Sequence, residues 1–197
     1  ADIVEGVKYT WHNRLVFLLL VSGLTSALLA MPFRMQIPVI SRRLYDIDVT
    51  EIGWLMAAMG TGGLLATAVT ANLREGHHRG PILIVIGIGG TGVAMLLLAI
   101  SGVYMIGLAI MVAVGFVGSI RMTLGQSIAI EATSDEFRAR VMSLNMMVYG
   151  LMPLGAMPMG YAIDHIGAEN TLLIVGTILL VATAALMLGS STLRRHS

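Results

Sequence analysis

Apolar residues fall into six long blocks separated by short polar breaks, at about 15–40, 52–73, 81–100, 104–130, 141–163 and 171–188. A helix needs roughly 20 such residues to cross a bilayer, and each block comes close to that or exceeds it. The breaks carry helix punctuation. Asp48-Val49-Thr50-Glu51 has the form of a capping box and predicts the start of the second span. Pro81 suits a first helical position, and Ser101-Gly102-Val103 reads as a minimal turn. Asp164-His165-Ile166-Gly167 closes the fifth span. Pro32 and Pro38 are expected to bend the first span, and Pro153 and Pro158 to break the fifth. Along the second span Gly53, Ala57, Gly60, Gly63, Thr67 and Ala71 recur three and four apart, a spacing that lets another helix approach closely. Before the first span, Ala1 to Arg14 places Ile3, Val4, Val7 and Trp11 at helical spacing. This is an amphipathic lead-in at the membrane surface or, alternatively, a frayed end. Residues 190–197 form a basic tail.

The composition turns this pattern into a class. Charged residues make up 12% of the chain and hydrophobic ones 56%. Soluble domains carry about 25% charged residues, so there is too little charge here to coat a water-facing surface. The expected fold is an all-α membrane protein of six transmembrane helices. Six spans put both termini on one side, together with Lys8, Arg14, Arg74, Arg79, Arg138, Arg140, Arg194 and Arg195; only Arg42 and Arg43 lie in loops on the other. The richer side is expected to be cytoplasmic. No basic run suggests nucleic acid, and the absence of cysteine removes disulfides, thiolate catalysis and cysteine-based zinc sites. No cofactor or metal site is expected; the adjacent His77 and His78 lack further ligands. The chain opens on Ala1 with no signal-peptide pattern, so it is expected to be a piece of a longer chain or a processed one.

Within the apolar blocks, polar residues are the candidates for chemistry. Arg121 lies near the middle of the fourth span, where an unpaired charge is costly. Gly115, Gly118 and Gly125 share its helix stripe and turn it toward protein; its partner is a structural pair in the bundle, an anionic substrate, or a carboxylate outside this chain. Arg34, beside Gln36, either snorkels to the interface or stands at a cavity mouth. Gln126 forms a polar stripe with Ser119 and Thr123, and Asn145 and Tyr149 stand four apart on the fifth span. Each group lines a path or bonds neighbouring helices. All eleven acidic residues fall in tails, loops or span ends. A proton-coupled carrier needs a titratable group in its path, so that group is expected outside this chain. The methionines around the fifth span, including Met142, Met146, Met147, Met152, Met157 and Met159, suit adaptable packing or a promiscuous pocket.

Four motifs carry a family resemblance: EGVKYTWHN at Glu5–Asn13, PFRMQIP at Pro32–Pro38, DEFRARVMS at Asp135–Ser143 and GYAIDHIG at Gly160–Gly167. In this order they resemble the C-terminal six-helix half of the major facilitator superfamily, in particular its bacterial drug and siderophore exporters. The turn between the second and third spans departs from the Asp-Arg-x-Gly-Arg signature of many relatives, reading Asn72-Leu73-Arg74-Glu75-Gly76-His77-His78-Arg79. The resemblance implies half of a twelve-helix carrier built from two inverted three-helix units. It further implies an N-terminal six-helix half as partner, a small-molecule substrate and a bacterial inner-membrane location. It makes Asp135, Glu136, Arg138, Arg140 and Asp164 candidates for a conformation-dependent latch, the alternative being a solvated charge cluster.

Other classes make different demands. An intramembrane hydrolase needs a nucleophile and a base at membrane depth, but all five histidines lie at or beyond span ends. Neither Gly-x-Ser-x-Gly nor His-Glu-x-x-His occurs, so no enzyme is expected. A six-helix scaffold or a self-pairing half-transporter is the remaining alternative.

Overall fold

The structure, a computed structural model, describes residues 21–72, 80–131, 133 and 135–191. They form seven helices: α1 (Val21–Tyr45), α2 (Val49–Asn72), α3 (Gly80–Ser101), α4 (Tyr104–Glu131), α5 (Asp135–Gly150), α6 (Met152–Ile166) and α7 (Ala168–Ser191). Among the described residues, five stretches are long and apolar enough to cross a membrane: α1, Val49–Thr70 of α2, Tyr104–Ser127 of α4, Met146–Ile166 across α5 and α6, and Ala168–Met187 of α7. α3 adds a shorter apolar stretch, Gly87–Ser101. The lead-in at residues 1–14, the His77-His78 pair and the basic tail from 192 on lie outside the described residues.

Lipid tails are as apolar as leucine, so these helices gain little from burying apolar surface against one another and rely on close contact. α4 packs between α2 and α3, and α3 continues onto α7. Three crossings bring backbone to backbone. A Cβ at Gly115 of α4 would land on the Met59 carbonyl of α2, and one at Gly62 on the Val112 carbonyl of α4. α3 meets α7 where Gly92 and Gly176 face each other, each 3.0 Å from the other's carbonyl once given a Cβ. α1 meets α6 where Gly155 rests on the Leu28 carbonyl. The stripe expected on α2 is therefore displaced. Gly62, Gly63 and Ala66 form the contact face, whereas Gly53 and Gly60 have open space around them.

Proline sets the irregularities. Pro32 has no N–H to offer the Leu28 carbonyl, and its ring crowds that oxygen. The helix accommodates it one turn earlier with a π-helical turn over Ser26–Ala30, closed by the Met31 N–H on the Ser26 carbonyl. Pro38 sits inside α1 without ending it. The fifth block is two helices rather than one. Pro153 excludes the carbonyl four residues back, and the chain breaks at Leu151, whose N–H bonds Val148 O at 3.1 Å. Pro158 lies within α6 and does not break it. α5 also begins earlier than its apolar block, at Asp135, so the charged hairpin is mostly helix.

Three connections gather at one end of the bundle. One arm of the capping box forms, with Asp48 N–H donating to Glu51 Oε2 at 2.9 Å. Asp46 takes the left-handed conformation (φ 50°) that ends α1. Tyr45 hydrogen-bonds Ser101 at 3.1 Å and meets Tyr104 edge-on at 6.1 Å, while Tyr104 donates to Glu51 O at 3.0 Å. Arg43 clasps the end of α6, donating to Ile163 O at 2.8 Å and Asp164 Oδ1 at 2.6 Å. Both side chains are exposed, at 44% and 61%, so this ion pair contributes about 1 kcal/mol at most. Asp164→Asn is expected to shift the unfolding free energy by less than about 1 kcal/mol in a detergent unfolding titration. A loss of several kcal/mol would show that the clasp carries the fold of this end.

Candidate functional site

Two arginines, Arg34 of α1 and Arg121 of α4, lie within stretches of spanning length. Arg34 lies eleven residues before the end of α1, about 16 Å along the axis. Its Nη2 donates to Val114 O of α4 at 3.2 Å. That carbonyl is reachable because the residue one turn on is Gly118, where a Cβ would occupy the place of the Arg34 guanidinium. The glycine thus seats a side chain as well as continuing a helix-contact stripe.

Arg121 stands one turn beyond Gly118 on α4. Its stem runs over α3 at Gly87, where a Cβ would fall 2.6 Å from Arg121 Cβ and 2.9 Å from its Cγ. Its side chain reaches toward Tyr149 near the end of α5. The two positive charges are near enough to repel each other. Among the described residues no carboxylate pairs with either; the ion pair they contain is Arg43–Asp164. An arginine at the centre of a spanning helix costs at least ~2.5–3.5 kcal/mol. For Arg34 a backbone carbonyl meets part of that cost, and among the described residues no negative charge does.

The remaining candidates separate. Gln36 points away from Arg34, its Nε2 lying 3.0 Å from where a Cβ on Gly160 of α6 would be. It belongs to the α1–α6 contact. Ser119 faces Gly63 of α2, while Thr123 and Gln126 are exposed on α4. Asn145 lies on α5 one turn before Tyr149, and Asp135, Glu136, Arg138 and Arg140 occupy the first turns of α5; their side chains are outside the described residues. Asp164 is held by Arg43 at the opposite end of the bundle from that hairpin. Many of the helix hydroxyls turn inward on their own backbone, Thr91 onto Gly87 O and Thr183 onto Leu179 O for example, at 3.0 and 2.7 Å. The methionines divide too, with Met159 in the core and Met146, Met147 and Met157 exposed. Among the described residues no cluster of histidine and carboxylate could hold a metal ion.

Apolar helices of spanning length, crossing on glycine and enclosing paired cations, define an integral, multi-pass membrane protein. The chain belongs to the Major Facilitator Superfamily, whose family model matches residues 15–196. It is 27% identical over 191 residues to the "Multidrug efflux pump Tap" of Mycolicibacterium fortuitum, a match that covers 95% of this chain and 46% of that protein. The chain thus spans less than half the length of that curated relative.

Proposed function

We propose that this chain is the C-terminal half of a twelve-helix secondary carrier that exports small amphiphilic molecules by alternating access. The observation that carries this reading is the superfamily match over residues 15–196 on a chain covering 46% of an efflux pump. Six spans arranged as two inverted three-helix units would start α1 and α4 on opposite sides, and each of these helices carries an arginine within its apolar stretch. The N-terminal six-helix half completes the cavity and supplies any carboxylate for proton coupling. Both termini face the cytoplasm of a bacterial inner membrane, as the distribution of basic residues argues. The hairpin of Asp135, Glu136, Arg138 and Arg140 acts as a latch against the other half.

The test is efflux of a fluorescent amphiphilic dye from proteoliposomes. Flux is expected when this chain is reconstituted with the six-helix segment encoded upstream, and not when it is alone. Arg138→Glu with Arg140→Glu is expected to alter that flux without preventing insertion. Flux from the chain alone would establish a self-pairing half-transporter instead. Silence from the completed carrier across chemically varied dyes would leave a membrane scaffold.

A further inference from the structure

The position of Arg34 creates a problem that the sequence did not pose. Its guanidinium rests on Gly118, one helical turn from Arg121, so two cations from different helices lie along the same stretch of α4. Neither is free to leave it. Arg34 is hydrogen-bonded to the α4 backbone, and the stem of Arg121 is wedged against Gly87 of α3. Both are only partly exposed, and like charges partly withdrawn from water repel each other more than they would at a surface. Such a pair is stable when an anion lies against both.

We propose that Arg34 and Arg121, with the Tyr149 hydroxyl, form a single binding site for one carboxylate. The chemistry of the donors selects that class of ligand. Guanidinium forks match a planar, two-oxygen acceptor, and a phenol supplies one further O–H. Arg34 already spends one N–H on Val114 O and retains others. A halide would leave most of these donors without an acceptor. A cationic amphiphile would be repelled by both residues.

The carboxylate has two candidate sources, the transported molecule or a side chain of the N-terminal half. This inference deepens the carrier reading and rests on it for its purpose, but its geometry lies within this chain. It is therefore tested by binding, without flux. The purified chain in detergent is titrated with radiolabelled decanoate by equilibrium dialysis. Decyltrimethylammonium, matched in tail length, serves as the cationic control. Saturable decanoate binding is expected, and the cation is expected to show only unsaturable partitioning. Arg34→Gln and Arg121→Gln should each weaken decanoate by about tenfold or more, and the double variant little further, since either arginine alone leaves the clamp broken.

The same titration on the completed transporter separates the sources. Decanoate binding that persists there assigns the carboxylate to the transported molecule. Binding present in this chain alone and lost in the completed protein assigns it to the N-terminal half. Equal affinity for the cation, partitioning without saturation, or undiminished binding by either glutamine variant would overturn the proposal. Folding of the variants is checked by their helical circular dichroism, and Arg34→Lys and Arg121→Lys, which keep the charge, are expected to retain part of the affinity.

Discussion

Arg121→Gln in the completed carrier is expected to insert and fold normally and to lose transport by roughly 10- to 100-fold, the worth of one or two charge-assisted hydrogen bonds. Glutamine keeps much of the volume against Gly87 but carries no charge to hold an anion beside Arg34. Arg121→Lys should retain more activity, because it preserves the charge and loses the fork geometry. Initial dye efflux rates at equal protein in the membrane make the measurement. Full transport by the glutamine variant would remove Arg121 from the working site and leave it as a structural residue.

The second large effect falls on the fold. Gly115→Leu is expected to destabilise the bundle by roughly 3 kcal/mol or more, at or above the upper end of ordinary overpacking. The reason is what the new side chain would meet. Its Cβ alone would collide with the Met59 carbonyl and lie 3.1 Å from Gly63 N, and backbone cannot rotate away as a side chain can. Gly62 makes the reciprocal contact on Val112, so α2 and α4 would have to separate along their crossing. Gly60→Leu serves as the control, since nothing lies within 4 Å of a Cβ there. A shift within about 0.5 kcal/mol is expected for it in the same unfolding titration. Equal destabilisation by both would show that general helix crowding sets stability, rather than this crossing.

Some of this architecture was legible in the sequence because hydropathy and punctuation act locally. The helix start at Asp48–Glu51, the turn at Gly102 and the break that Pro153 makes between α5 and α6 all follow from a few adjacent residues. Helix ends were less accurate. α1 runs on to Tyr45 and α5 starts at Asp135, because backbone hydrogen bonds continue past the point where side chains become polar. An apolar window detects the membrane, and the helix does not stop there.

At the site, Arg121 stood out because a lone charge in a long apolar block is visible in one dimension. The part played by Arg34 was not. Whether a long side chain reaches back to the interface or across to another helix depends on what faces it, and that is α4, eighty residues away from Arg34 at Val114. Gln36 shows the converse. Its nearness to Arg34 in sequence suggested a shared role, yet two residues on a helix differ by about 200° in direction. It meets α6 instead.

The acceptor for Arg34 is a main-chain oxygen, and this shapes how the locus would behave in genetics. No substitution at Val114 deletes a carbonyl, so a saturation screen would find that position tolerant at the level of hydrogen bonding. The vulnerable codon is that of Gly118, where even alanine places a methyl group on the guanidinium. Loss-of-function alleles should therefore cluster at a residue with no functional group, and a suppressor should be sought in Arg34→Lys, whose slimmer tip keeps the charge.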